Sequence, residues 1–288
     1  MRSPFGDRRP HALGVTERFS YSMTSQSNTE TLKRIESALQ AAREVFSHFT
    51  LGAIEAEYKA GHDPVTEADR QLDTVLRREL LRDGEGWLSE ESVDDLSRLD
   101  CSRVWVVDPL DGTREFIAGI PEFCASIAMV ENGRAVAGGI LNPATNEVFL
   151  GSLASGLTYN GKPAKPSQRT TLKGALILAS RSEVKRGEWK QFEGEHFQVR
   201  PMGSVAYKLA CVAAGLADIT FTLVPKHEWD VAAGVALVES GGGFVSTLDN
   251  GSLRCNQRDP LLKGLIACGP NLADPLMARL GLQPTGSH

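Results

Sequence analysis

The segment Trp105-Val106-Val107-Asp108-Pro109-Leu110-Asp111-Gly112-Thr113 concentrates residue types that handle phosphate. An apolar, β-branched run delivers Asp108 at its C-terminal end, and Pro109 stiffens the exit with no N–H to satisfy. Asp111, Gly112 and Thr113 follow. A helix starting there has free N–H groups at its first turn, a ready anion site, and Gly112 lets a phosphate approach the backbone. Two carboxylates beside a phosphate would repel it: unit charges about 4 Å apart cost roughly 4 kcal/mol at an effective dielectric of 20. A divalent cation between acids and phosphate reverses that sign. The plainer alternative makes Asp111 a turn and N-cap residue and Asp108 a strand end.

Other acids point the same way. Ser89-Glu90-Glu91 lies just upstream, and Glu228-Trp229-Asp230 opens an apolar helix containing Ala232, Ala233 and Gly234. Asp63-Pro64-Val65-Thr66-Glu67-Ala68-Asp69 places a further acid at a helix start, where the helix dipole favours one anyway. Acidic ends on separate elements suit a hard cation with oxygen ligands, provided the fold brings them together. Rival chemistries lack their spacing. His62, His196 and His227 show no His-x-x-x-His pattern, and Ser89, Ser126 and Ser204 lack a Gly-x-Ser-x-Gly elbow.

The elements that must position these residues are legible as periodicity. Leu32, Ile35, Leu39, Ala42, Phe46 and Phe49 form a helical stripe over 31–49, and Ala68, Leu72, Val75, Leu76 and Leu80 a second over 67–81. Thr66 is the expected N-cap of the second, with Asp69 in its first turn. Strands are expected over 104–107, 123–130, 135–141 and 148–150, with turns at 131–134 and at Asn160-Gly161. Strands over 175–179, 197–199, 218–222 and 264–267 then alternate with helices over 205–214 and 231–239. The Gly241-Gly242-Gly243 run should stop the latter helix, and Asn271 should cap a last one. Helix pair, meander, then alternation predicts layered α and β elements, an α+β class, rather than a simple doubly wound sheet.

The chain has 288 residues, a formal net charge of −5, 41% hydrophobic and 23% charged residues. That balance excludes a largely disordered or fibrous chain. It offers no global field and no basic block for a nucleic-acid polymer, and no apolar run of about 18 residues for a membrane span. Cys101, Cys124, Cys211, Cys255 and Cys268 are odd in number and irregular in spacing, which argues against a disulfide framework and for inert, buried thiols in a reducing cytoplasm. Residues 1–28 lack a sustained apolar period and read as a disordered leader, with Met23 a candidate natural start. Trp105 and Trp229 read as core residues bracing the acids.

The four acidic segments, in this order and spacing, resemble the motif set of the inositol monophosphatase superfamily over roughly residues 30–281. The resemblance implies a layered α/β/α/β/α sandwich and one phosphatase domain over 29–283. A metal and phosphate lobe would span about 29–170 and a substrate lobe about 171–283, with 284–288 a tail. It implies a phosphomonoesterase using two or three Mg²⁺, with a small phosphorylated metabolite as its partner, lithium sensitivity, and in parts of the family a homodimer. Position by position, Glu90, Asp108, Asp111 and Asp230 match metal-binding carboxylates, and Leu110 a backbone carbonyl ligand. Asp69 and Thr113 match the pair that activates the attacking water, and Gly112 and Thr113 the phosphate donors. Attack would be in line, without a phosphoenzyme.

Substrate choice is read from the remaining positions. Gly112-Thr113-Arg114-Glu115-Phe116 resembles the form of bacterial 3′(2′),5′-bisphosphate nucleotidases, whereas inositol phosphatases more often read Gly-Thr-Thr-Asn-Phe. Gly203-Ser204 is similar to the substrate-contacting turn of both groups. Lys208, one helical turn on, is either a second-phosphate ligand or a solvated lysine. Inositol-specific members place a Glu near the position of Thr222. Glu228 is a nearby substrate-side candidate. The expected substrate is therefore 3′-phosphoadenosine 5′-phosphate. Inositol 1-phosphate, histidinol or sugar phosphates are the alternatives within the superfamily, and a non-catalytic phosphate or nucleotide binder the alternative outside it. A haloacid-dehalogenase-type phosphatase needs Asp-x-Asp, and two residues separate Asp108 from Asp111.

Overall fold

The structure is a computed structural model and describes residues 25–53, 56–58, 64–192, 194, 197–249 and 251–282. Met23 and most of the expected leader, Asp63, His62, His196 and the 284–288 tail lie outside the described residues.

Helix α1 (Ser25–Phe46) leads to a short antiparallel pair, β1 (Ala56–Tyr58) and β2 (Pro64–Thr66), and then to α2 (Glu67–Leu80). The helix begins at Ser25, inside the stretch assigned to the leader. Tertiary contacts explain this: Asn28 is buried, and Arg103 donates to the Ser27 hydroxyl at 3.1 Å.

A seven-stranded sheet follows in simple chain order: β3 (Gly86–Ser89), β4 (Arg103–Asp111), β5 (Cys124–Glu131), β6 (Arg134–Asn142), β7 (Glu147–Ser152), β8 (Gly156–Tyr159) and β9 (Lys162–Ala164). Only β3 and β4 run parallel; the other pairs are antiparallel. The Asn132-Gly133 and Asn160-Gly161 turns both take left-handed backbone, which matches the twist of a two-residue hairpin. Helix α3 (Thr113–Ala118) links β4 to β5.

The second sheet has five strands, ordered β11-β10-β12-β16-β14. They are β10 (Ala175–Ser180), β11 (Phe197–Met202), β12 (Ile219–Thr222), β14 (Phe244–Thr247) and β16 (Leu265–Cys268). Beside it, β13 (Lys226–His227) pairs with β15 (Leu261–Leu262). The helices are α4 (Arg181–Lys185), α5 (Val205–Ala213), α6 (Glu228–Ser240) and α7 (Ala273–Arg279). Asn271 does not cap the last helix. It sits in a 3-10 turn before α7, and its amide donates to the Gln168 carbonyl at 3.2 Å.

The layers follow from which faces are apolar. Ile35, Leu39, Leu72 and Leu76 pack α1 and α2 on one face of the seven-stranded sheet, against Trp105, Val107 and Ile127. The opposite face, with Val106 and Ala128, meets α5 and α6, which in turn meet Leu178 and Ala267 of the second sheet. A helix sandwiched this way must be apolar all round, and Val231, Ala232, Val235, Ala236, Leu237 and Val238 are all buried. On the far side, Leu276 and Met277 cover Ile177 and Ile266. The result is the expected α/β/α/β/α stack. Adjacent glycines in β6 let both neighbours approach. A Cβ at Gly138 would lie 2.5 Å from the Ala233 carbonyl of α6, and one at Gly139 would lie 2.2 Å from Ile35 of α1, as expected for successive residues facing opposite sides.

Among the described residues no helix is long and apolar enough to cross a membrane. All five cysteines are free thiols; four are buried, but Cys101 is only half-buried because it leaves a surface turn ahead of β4.

Candidate active site

Asp108 and Asp111 lie on the same strand, three positions apart, and a regular strand would point them to opposite faces. The β4–β5 ladder shifts register between them: Asp108 pairs with Ser126 and Asp111 with Cys124, so one extra residue is inserted in β4. Pro109, which cannot donate to a ladder, sits in the insertion. The bulge brings both acids to one cleft, about 560 Å³ in volume, together with Glu90, Leu110, Gly112, Thr113, Arg114, Gly203, Ser204, Lys208 and Asp230. That volume suits a small metabolite.

Glu90, from the loop after β3, Asp108, from β4, and Asp230, from the first turn of α6, each place a carboxylate oxygen within 4.8 Å of the others. Burial, then the charges of Glu90, Asp111, Asp230 and Asp69, push the Asp108 carboxyl well above the ordinary range. Burial and the Asp111 charge push Asp230 up to about 7, against the pull of Lys226, the His227 N–H and Lys208. An all-oxygen donor set whose members cannot easily all ionise together fits a hard divalent cation. Asp111 stands beside this trio with one oxygen already engaged. Its Oδ2 accepts from the Ser204 hydroxyl at 2.7 Å and from the Ala206 N–H at 2.6 Å, at the start of α5.

Asp69 lies in the first turn of α2. Its Oδ2 accepts from the Thr66 N–H at 2.7 Å and the Thr66 hydroxyl at 2.6 Å, while Oδ1 lies 3.3 Å from the Thr113 hydroxyl. The same hydroxyl lies 3.1 Å from the Leu110 carbonyl, so its one proton has two acceptors. Burial raises the Asp69 carboxyl, opposed by these bonds. Gly112 has φ +97°, and a Cβ there would lie 2.9 Å from the Glu122 carbonyl. Only glycine lets the chain turn from β4 into α3 at this spot.

A model of the inositol monophosphatase family matches residues 27–281. The chain belongs to the inositol monophosphatase family. It is a metal-dependent phosphoric monoester hydrolase. An inositol-1-monophosphatase from Mesorhizobium japonicum is 34% identical over 264 residues, 88% of this chain and 96% of that protein. The structure of an inositol monophosphatase from Anabaena (Nostoc) superposes with a TM-score of 0.73 at 29% identity, covering 91% of this chain and all of that one. CysQ from Bacteroides thetaiotaomicron, a bacterial member of the same family, gives a TM-score of 0.71 at 28% identity, over 85% and 98% of the two chains.

Against the family's scaffold, two residues depart from the sequence expectation. Glu228 is not at the cleft. It is fully buried, and its oxygens accept the Asn256 N–H at 2.6 Å and the Gln257 N–H at 2.9 Å. It anchors the start of α6 to the 255–257 loop. Trp229 is part cleft wall as well as core; its ring stacks on His227 at 4.4 Å. Lys208 is 5% exposed, which removes the solvated-lysine alternative. Among the described residues its amine has one hydrogen-bond contact, 3.4 Å to the Met202 carbonyl, and burial lowers it to about 8.

The sequence reading missed Arg181, Lys185 and Lys226, which also line the cleft. Arg181 directly follows β10, Lys185 closes the short helix α4 that begins with it, and Lys226 opens β13 four residues after β12, so only Arg181 carried a positional signal at a strand end. Arg181 pairs with Glu122, whose Oε2 also accepts the Gly203 N–H at 2.7 Å. That joins the strand-end of the second sheet to the loop before β5.

Proposed function

We propose that this phosphatase is Mg²⁺-dependent and hydrolyses a small metabolite carrying two phosphates, with a 3′(2′),5′-bisphosphate nucleotide as the substrate class. The observation that carries the reading is the distribution of charge in the cleft. The acids come mainly from the first sheet and its edge loop, whereas Arg181 and Lys185 come from α4, Lys208 from α5 and Lys226 from β13, all on the side of the second sheet. One phosphate would face the acids through the cation, and the other would meet the basic wall.

Glu90, Asp108, Asp111, Asp230 and the Leu110 carbonyl would hold the ions. Bound there, Mg²⁺ supplies a lowered water pKa and neutralises charge on the phosphoryl oxygens. The chain's own groups do the rest. Thr113, at the first position of α3, would orient the attacking water through its hydroxyl, and Asp69 Oδ1 would accept the proton that the hydroxyl passes on. The N–H groups of Gly112 and Thr113 would receive the phosphate. Arg114 would meet the outer face of the ligand, and Ser204, held by Asp111, would shape the substrate turn with Gly203. Lys208 would contact the second phosphate, and its burial would make that contact strong.

The inositol 1-phosphate reading has its own support in the name of the Mesorhizobium relative. Side-by-side rates on 3′-phosphoadenosine 5′-phosphate, inositol 1-phosphate and histidinol phosphate, with Mg²⁺ and with chelator, test the choice. A higher kcat/KM on the bisphosphate supports the proposal; a higher one on either monophosphate overturns it.

A further inference from the structure

Helix α2 carries more of the site than Asp69. Asp73 lies one helical turn on and Arg77 one turn beyond that, so the three share a face. Asp69 and Asp73 each reach a different part of the site, and Arg77 reaches β3 behind it. Asp69 reaches Thr113. Asp73 accepts from two hydroxyls at once, Ser89 on Oδ1 at 2.6 Å and Ser92 on Oδ2 at 2.5 Å. The Arg77 guanidinium lies 5.8 Å from the centre of the Trp87 ring. Ser89 and Ser92 flank Glu90, which belongs to the carboxylate trio.

The loop between them has left the sheet. The Glu90 N–H makes a 3.4 Å contact to the Val107 carbonyl, beside Asp108. Ser89 Oγ also accepts the Glu91 N–H at 3.3 Å, and Ser92 Oγ accepts the Trp87 indole N–H at 3.3 Å. Both serine hydroxyls therefore accept one hydrogen bond and donate one to Asp73. Only a carboxylate offers two acceptor oxygens and no donor, and bonds to an ionised acceptor are the stronger kind. An asparagine would present one acceptor and one donor, and one serine would have to turn away.

We infer that Asp73 is a positioning residue for the metal centre: by holding Ser89 and Ser92 it fixes Glu90 opposite Asp108 and Asp230 and sets the affinity for the divalent cation. The inference rests on the assignment of Glu90 as a metal ligand. It makes α2 a single rigid part that holds both the proton acceptor Asp69 and the loop of one metal carboxylate.

The test measures Mg²⁺ affinity directly, by calorimetric titration of chelator-treated full-length protein and by the rise in melting temperature that MgCl₂ produces. Asp73→Ala should weaken Mg²⁺ binding about tenfold, the scale of losses beyond the direct ligands, while kcat at saturating Mg²⁺ stays within about threefold. Ser92→Ala should weaken it by a smaller factor, and Asp73→Asn should fall between. The Asp73→Ala, Ser92→Ala double variant should be no worse than Asp73→Ala alone, because both act through one contact. Unchanged Mg²⁺ affinity in Asp73→Ala and Ser92→Ala, whatever happens to the metal-free melting temperature, overturns the inference. If Asp73→Ala fails to fold, Asp73→Asn and Ser92→Ala decide by the same readout. A wild-type protein that binds no Mg²⁺ overturns the underlying metal assignment instead.

Discussion

The Thr113 hydroxyl lies 3.3 Å from Asp69 Oδ1, across 44 residues of chain, and joins the first turn of α3 to the first turn of α2. Neither residue belongs to the carboxylate trio. Thr113→Ala should therefore lower kcat by about 100- to 10,000-fold, the range for a positioned proton-transfer group, and leave Mg²⁺ affinity near wild type. Asp69→Asn should do the same, and the double variant should be little worse than either single one. Steady-state kinetics across a Mg²⁺ series measure both parameters. A loss confined to metal affinity would contradict the assignment.

Asp108 is 1% exposed and faces four other carboxylates. Asp108→Asn removes the charge and keeps the volume. In chelator the variant should melt at least as high as wild type, since a buried carboxyl that neighbouring acids keep from ionising freely is replaced by a neutral group of the same volume. Added Mg²⁺ should raise the wild-type melting point and leave the variant's unchanged, and turnover should be lost. Wild-type turnover in this variant would refute the role of Asp108.

The pH dependence has a definite sign. Asp230 titrates near 3.8 when unfolded and is pushed up to about 7 in the metal-free fold. The native state then holds a proton that the unfolded chain has already released. The stability linked to that proton is complete below the unfolded value and is lost as pH rises through about 7. Chelated protein should accordingly become less stable between about pH 5 and pH 8. Mg²⁺ competes with protons for the same oxygens, so its stabilising effect should grow over that range. Melting curves at several pH values, with and without Mg²⁺, give both slopes. A Mg²⁺ effect that shrinks with rising pH would be inconsistent with carboxylate ligands.

Much of this was legible in the residues themselves. The stripe from Leu72 to Leu80 located α2, and Asn132-Gly133 located a hairpin, because helix period and turn chemistry are local properties. The four acidic segments were also legible, since their motifs are short and contiguous. What stayed hidden depends on long-range contacts. Strands β3 and β14 are four residues each and have no period of their own; the sheet beside them defines them. The bulge at Pro109 is visible only once β5 is paired with β4. Glu228 reads as a cleft residue beside Asp230, yet successive helix positions point in different directions, and the 255–257 loop covers it. Lys208 reads equally as surface or site, because nothing local reveals that α5 is enclosed on nearly every side.

That enclosure gives Lys208 its sharpest test. The amine is buried, retains one carbonyl contact, and faces the cleft opposite the acids. Burial lowers it to about 8, so it is mostly charged at neutral pH and loses its charge as pH rises above that value. Lys208→Met keeps the stem and removes the charge. The variant should be at least as stable as wild type, because an incompletely bonded buried ammonium costs more than a thioether. Its kcat/KM on 3′-phosphoadenosine 5′-phosphate should fall about 10- to 100-fold, the worth of one hydrogen bond to a charged group. Activity on a monophosphate such as inositol 1-phosphate should change much less, since that ester would reach only the metal side. A wild-type preference for the bisphosphate that fades above pH 8, with metal affinity intact, is the matching pH signature. Equal losses on both substrates would place Lys208 in the fold of α5 rather than in recognition of a second phosphate.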